Sequence, residues 1–244
     1  MSESLRLEDI GLFRRRPGFR LGPITHEFTR GVTAVVGVNG AGKSTLFSVI
    51  AGSEKASRGS IRFPPKRDSG IVKVGFLPQT PVFPRSATVE DVLRLLAWTR
   101  GVTDVEREVS RVSAELNLDS LRRKRIKHLS GGTLRRLGIA QAMIGEPSVL
   151  LLDEPTAGLD PLQRVSVRNS ISSGCRSVVT LISTHLVDDV QNLADHVVVL
   201  NEGALVFAGS VPELASLSPV NSPRGVNVLE AALQELYLHG MQRD

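Results

Sequence analysis

Gly37-Val38-Asn39-Gly40-Ala41-Gly42-Lys43-Ser44-Thr45 is the stretch around which the other 235 of the 244 residues can be read. It satisfies G-x-x-x-x-G-K-[ST] and sits in the context that the pattern needs. The run Thr33-Ala34-Val35-Val36 leads in as a buried strand, and Leu46, Val49 and Ile50 follow at helical spacing until Gly52. Glycines let the backbone wrap a phosphate chain closely, with successive N–H groups and the positive end of the next helix aimed at it. Lys43 adds a mobile charge for the β- and γ-phosphates, and the Ser44 hydroxyl is placed for Mg²⁺. A glycine-rich turn without a ligand would not require strand, loop, Lys-Ser pair and helix together. The stretch is read as a nucleotide site in an α/β chain.

Composition narrows the class. The length suits one large domain, or a domain with an inserted subdomain. The formal charge of +5 is modest and dispersed, and only 4% of residues are aromatic, so a base-stacking surface is disfavoured and no nucleic-acid partner is expected. A single cysteine, Cys175, excludes an internal disulfide, and no Cys/His cluster has metal-ligand spacing. The N-terminus carries no apolar signal region, and no apolar run reaches membrane-spanning length. The expectation is a soluble, cytoplasmic protein.

The opening third reads as β-rich. Leu5 to Ile10 and Ile24 to Phe28 are expected strands, separated by a basic turn over Phe13-Arg14-Arg15-Arg16-Pro17. Gly59 to Phe63 and Val72 to Leu77 alternate again, with Pro64-Pro65 and Ser69-Gly70 as breakers. At Pro78-Gln79 the character changes. Thr88 and Asp91 form a capping-box start for a helix with Val89, Val92, Leu93 and Leu96 on one face. Thr103 with Glu106 starts a second helix, whose face is Val105, Val109, Val112 and Leu116. Arg122-Arg123-Lys124-Arg125 reads as a solvated cationic edge. Residues from about 80 to 128, extended to about 145 by the next helix, form a helical insertion.

Leu129-Ser130-Gly131-Gly132-Thr133 opens that next helix, which Gly145 and Pro147 stop. Ser130 is a natural N-cap, and two glycines leave N–H groups unobstructed at the helix start. A second anion site and a capped helix without ligand fit these residues equally well. Val149-Leu150-Leu151-Leu152 then reads as a strand buried on both faces and ends in Asp153-Glu154, at the edge where α/β folds bind ligands. Asp153 fits a Mg²⁺-side carboxylate, and Glu154 a general base on water. Val178 to Ile182 is another buried strand, ending in Ser183-Thr184-His185. Residues 196–207 form a hairpin, Ser216 to Asn227 a linker, and Val228 to His239 a helix with Leu229, Ala232, Leu233 and Leu236 on its docking face.

In this order the motifs resemble the ATPase subunit of ATP-binding cassette (ABC) transporters over about residues 5 to 215. Gly37 to Thr45 is similar to the family's Walker A loop, Gln79 to its Q-loop glutamine and Leu129 to Thr133 to its LSGGQ signature. Val149 to Asp153 resembles Walker B, Glu154 the catalytic carboxylate, Ala157-Gly158-Leu159-Asp160 the D-loop and His185 the switch histidine. The fold so implied is a phosphate-loop NTPase core with an antiparallel β subdomain and an inserted helical subdomain, over 1–215. A linker and docking helix follow over 216–244.

The resemblance implies ATP and Mg²⁺ as cofactors and a second ATPase subunit, identical or paralogous, packed head to tail. Gly37, Asn39, Gly40, Ala41, Gly42, Lys43, Ser44 and Thr45 would bind ATP in cis. Ser130, Gly131 and Gly132 would meet the γ-phosphate of the opposite subunit's nucleotide, and Asp160 of the D-loop is counted with the nucleotide-binding residues. Ser44, Gln79 and Asp153 would serve the metal. Glu154, His185 and Gln79 would carry catalysis, with Gln79 also sensing a membrane-spanning permease. Thr133 stands where the signature ends in Gln. The adenine-stacking aromatic, usually Tyr, would be Phe13, with Phe19 as second candidate and a core role for Phe13 as the alternative. The function implied is coupling of ATP-driven dimer closure to translocation by a separate permease at the inner face of the membrane. Ala157 to Pro161, Ser183-Thr184-His185 and Leu229 to Ala232 resemble subunits of multidrug and peptide-antibiotic exporters whose permease is a separate chain. The alternative is a soluble ABC-type ATPase of translation or DNA maintenance.

Overall fold

Alternation of apolar and polar side chains at the start of the chain produces two long strands, β1 (Leu5–Arg14) and β2 (Phe19–Phe28), which bury Leu5, Leu7, Ile10, Leu21, Ile24 and Phe28. A computed structural model describes residues 3–14, 18–65, 74–219 and 227–240. The chain divides into two compact units, one holding residues 6–28, 32–62 and 183–244, the other chiefly residues 63–182. In the first unit β3 (Gly31–Val36) runs into the phosphate loop and α1 (Lys43–Ile50), and β4 (Arg58–Arg62) follows. A three-stranded sheet has the order β2-β1-β4, with β4 antiparallel to β1 and Leu7 opposite Ile61. Helix α1 ends at Ala51, with Gly52 at φ 75°, as its glycine stop requires.

The second unit carries β5 (Val74–Leu77), α2 (Val89–Thr99), α3 (Val105–Glu115), α4 (Gly131–Met143), β6 (Val149–Asp153), α5 (Pro161–Gly174) and β7 (Val179–Thr184). β5 pairs in parallel with β6, Leu77 opposite Leu152, and β7 flanks β6 on its other side. Every residue of β6 and β7 is buried, which explains why neither run alternates. The capping box of α2 forms in both directions: the Asp91 amide donates to Thr88 Oγ1 at 3.1 Å and the Thr88 amide to Asp91 Oδ2 at 2.8 Å. α3 starts one residue later than its sequence suggested. Asp104, not Thr103, is the N-cap, because its carboxylate accepts the Arg107 amide at 3.0 Å. Of the cationic run, Arg122 bonds Glu106 at 2.7 Å, while Arg123, Lys124 and Arg125 are exposed. Cys175 closes α5, and burial pushes its thiol up to about 12, a packing residue rather than a nucleophile.

α4 lies directly on β5. A Cβ at Gly75 would run into the Ala142 carbonyl, and one at Gly138 would come 2.5 Å from Leu77 Cδ1. Gly75→Ala should therefore overpack this contact by about 1–3 kcal/mol. A thermal melt should show Tm falling by about 2–4 °C for each kcal/mol. An unchanged Tm would contradict the seating of α4 on β5.

The chain then returns to the first unit with α6 (Val187–Leu193), β8 (His196–Asn201), β9 (Ala204–Ser210), α7 (Val211–Ser216) and α8 (Val228–Gly240). β8 is parallel to β3, with Val36 opposite Val199, and antiparallel to β9. The expected hairpin closes through Glu202-Gly203, both at positive φ (47° and 80°), the two-residue turn whose twist matches paired strands. α7 occupies the first position of the expected linker, Ser216. α8 packs against α7, β8 and β9 and buries Leu229, Ala231, Ala232 and Leu233, while Leu236 is only half-buried. The expected basic turn at 15–17, the breaker at 69–70, the strand start at 72–73 and linker positions 220–226 lie outside the described residues. Among the described residues, no helix is long and apolar enough to cross a membrane.

Candidate active site

The phosphate loop begins where β3 ends. At Gly37 any Cβ would sit 2.6 Å from the Leu200 carbonyl oxygen and 2.9 Å from Ala41 Cβ, so the strand exit has room for hydrogen alone. Gly42, the residue before α1, adopts φ 103°, a conformation that a side chain would strain. The Ala41 carbonyl accepts the Gly203 amide at 3.0 Å, which anchors the loop to the β8–β9 turn. Asn39 and Gly40 are exposed at the loop tip, Ser44 is exposed in the first turn of α1, and Thr45 is half-buried behind it. Lys43 is only 6% exposed. Its Nζ donates to the Gly37 carbonyl at 2.6 Å and to the Val38 carbonyl at 3.2 Å, so the ammonium is folded over the loop's own carbonyls.

Phe13 is 61% exposed near the end of β1, which excludes the core role, and its amide donates to Ser57 Oγ at 3.2 Å. It borders an open cleft of about 260 Å³ with Arg20, Leu21, Ser57 and Arg58. Phe19 is half-buried and turns toward the loop, its Cζ 3.1 Å from where a Gly42 Cβ would stand. His185 follows β7 directly and is exposed. The backbone on either side of it is pinned by Thr184, whose Oγ1 donates to Asp189 Oδ2 and accepts the Leu186 amide, both at 3.0 Å.

In the second unit, β6 delivers Asp153 at 3% exposure. Glu154 then leaves the strand at φ 48°, in the left-handed region. For a residue with a side chain this costs on the order of 1–3 kcal/mol, and such strain gathers at working sites. The turn is closed by the Ala157 amide, which donates to the Glu154 carbonyl at 3.2 Å. Gln79 Nε2 donates to Glu154 Oε2 at 3.3 Å, so two side chains 75 positions apart meet.

Ser130 caps α4 as its sequence indicates, its Oγ accepting the Thr133 amide at 3.3 Å and lying 3.0 Å from Thr133 Oγ1. The Gly132 N–H, expected to be unobstructed, is not: it donates to Gln163 Oε1 at 3.1 Å. The physical reason is the N-terminus of α5, where Asp160 accepts the Gln163 amide at 2.9 Å and sets that side chain over the glycines. Gln163 was not singled out by its sequence context, nor was Arg135, whose Nη1 donates to the Gln79 carbonyl at 2.7 Å and Nη2 to the Ala157 carbonyl at 3.5 Å. Their only sequence signal is position, each within the first turns of a capped helix beside a motif.

Residues 23–157, more than half of the chain, match the family described as ABC transporter. Human ATP-binding cassette sub-family A member 9 is 39% identical over 188 residues, which cover 73% of this chain and 12% of the relative. The mouse ABC-type organic anion transporter ABCA8B is 37% identical over 221 residues, 85% of this chain and 14% of the relative. The mouse cholesterol transporter ABCA5 is 36% identical over 188 residues, 73% and 11% respectively. The chain thus spans 11–14% of the length of these relatives. Among solved structures, the ADP conformation of an ATP-binding cassette of an ABC transporter superposes with a TM-score of 0.75 at 25% identity, covering 96% of this chain and 98% of that one. An ATP-binding subunit of an ABC transporter gives 0.71 at 25% identity, with the same coverage. Nucleotide-binding domains of this family bind ATP, dimerise and work with membrane domains. The phosphate loop, the strained acidic turn and these matches agree: the chain belongs to the ABC transporter family, as an ATP-hydrolysing, ATP-binding domain.

Proposed function

We propose that this chain is the ATPase subunit that drives a separate membrane permease, with ATP-Mg²⁺ held between two such subunits. The observation that carries the reading is the hydrogen bond from Gln79 to Glu154. It joins the glutamine expected to sense the permease to the carboxylate expected to activate water. Gly37 to Thr45 wrap the phosphates, with Phe13 against the adenine. Lys43 exchanges its two backbone carbonyls for β- and γ-phosphate oxygens, a trade of neutral acceptors for charged ones. The Ser44 hydroxyl, the Asp153 carboxylate and the Gln79 carboxamide would supply hard oxygen donors of the kind Mg²⁺ takes. An ion held by them would supply neutralisation of the charge that develops on the phosphates. Glu154 accepts a proton from the attacking water, and His185 contacts the γ-phosphate and fixes the water's direction.

Ser130, Gly131 and Gly132 contact the nucleotide of the opposite subunit, and Asp160 lines the same junction. Gln163 must yield the Gly132 N–H for that contact to form. The direction favoured is export. The D-loop and tail resemble those of drug and peptide-antibiotic exporters, and relatives named for cholesterol and organic anions support an amphipathic organic cargo. The chain meets the inner membrane face through its permease.

Ser130→Arg tests the trans arrangement. ATP affinity of the single subunit should stay unchanged while phosphate release stops, since the arginine blocks a site used only by the opposite subunit. Loss of the cap should itself cost about 1 kcal/mol, visible in a melt. Wild-type turnover in a folded Ser130→Arg protein would refute the reading.

A further inference from the structure

We infer that Arg135 is a positioning residue for hydrolysis, clamping the Gln79 backbone and the Ala157 turn so that the Gln79 carboxamide is held on Glu154. The inference rests on the proposed roles of Glu154 and Gln79. Arg135 lies on α4, five residues after Ser130, and the motifs read from the sequence leave it without a role. Its guanidinium donates to the Gln79 carbonyl at 2.7 Å through Nη1 and reaches the Ala157 carbonyl at 3.5 Å through Nη2. Those carbonyls belong to two irregular segments, one that meets the acidic turn and one that is the turn itself. The first follows β5 and carries the Gln79 side chain, which donates to Glu154 Oε2 at 3.3 Å. The second is the turn that Glu154 closes from its left-handed position, through the Ala157 amide.

One planar cation therefore ties three pieces: the helix that begins with the signature, the segment holding Gln79 and the turn holding Glu154. A guanidinium suits this task because its five donors lie in a rigid fork that can serve two carbonyls at once. A lysine ammonium on a flexible stem keeps the charge but loses the fork. Burial disfavours the charged form of Arg135, and Glu154 followed by Asp153 favour it, so the guanidinium also feels the acidic pair it steadies. A shift of α4 on dimer closure is transmitted through this side chain to the backbone of Gln79.

Arg135→Lys and Arg135→Met separate geometry from charge. Both should keep ATP affinity and melting temperature close to wild type, because neither touches the phosphate loop. Both should lower kcat with KM unchanged, by roughly ten- to a hundredfold, the penalty expected when a reacting group is misplaced by up to an ångström. Glu154→Gln is run beside them as a reference. Wild-type kcat in Arg135→Lys with an inactive Glu154→Gln overturns the clamp and leaves the base assignment standing. Wild-type kcat in Glu154→Gln instead overturns the base assignment itself. A loss of kcat in Arg135→Met alone, with Arg135→Lys fully active, assigns Arg135 a purely electrostatic role and also overturns the clamp. A parallel fall of Tm and ATP affinity in both variants would identify a merely structural residue.

Discussion

Glu154→Gln is expected to bind ATP and dimerise while releasing almost no phosphate. The amide preserves the size of the side chain, and its carbonyl oxygen can still accept the Gln79 Nε2–H that the carboxylate accepts at 3.3 Å. It cannot take a proton from water, and removing a general base typically lowers a rate by roughly 10²–10⁴-fold. It also deletes a negative charge near the γ-phosphate, so ATP in the closed dimer should be retained longer. Asp153→Asn should behave differently. Asp153 is buried at the end of β6, and its replacement should weaken the proposed metal site and with it ATP-driven closure. Size-exclusion chromatography with ATP, run beside a phosphate-release assay, separates the two. Trapped dimers with Glu154→Gln and none with Asp153→Asn support both roles, whereas wild-type phosphate release by Glu154→Gln would shift the base elsewhere, with His185 next in line.

Lys43→Ala is expected to weaken ATP binding severely. Charge-assisted hydrogen bonds contribute about 1.5–3 kcal/mol, which is roughly a ten- to 150-fold rise in Kd. The structure adds a second effect that a surface lysine would not have. With 6% exposure and two bonds to Gly37 and Val38, Lys43 also holds the loop in shape. Lys43→Met, which keeps most of the stem, should lose affinity as Lys43→Ala does while destabilising the protein less. Calorimetric titration of ATP-Mg²⁺ together with melts, with and without nucleotide, resolves the two contributions. Wild-type protein gains about 2.7 kcal/mol at a hundredfold excess of ligand over Kd, and both variants should lose most of that gain. Undiminished affinity in either would remove the phosphate-loop assignment.

Interactions closing within three or four residues were legible because the residues that make them are neighbours in the chain. The Thr88–Asp91 capping box and the Ser130 cap both form from side chains three positions from their partners. The uninterrupted aliphatics of β6 stated burial on two faces, and the Glu202-Gly203 turn stated a hairpin. The start of α3 was misplaced by one residue because Thr103 and Asp104 both suit an N-cap and only the folded backbone selects between them.

What the sequence by itself determined is therefore the α/β class, the phosphate loop, the order of the motifs and, through that order, the family. Glycine spacing, lysine charge and strand burial are local properties that survive without knowledge of packing. The tertiary structure alone decided the left-handed turn at Glu154, the burial of the Lys43 ammonium, the loss of the Gly132 N–H to Gln163 and the reach of Arg135 to two carbonyls. The last three depend on partners 5 to 56 residues away and on side-chain directions that only close packing against a neighbouring segment can select.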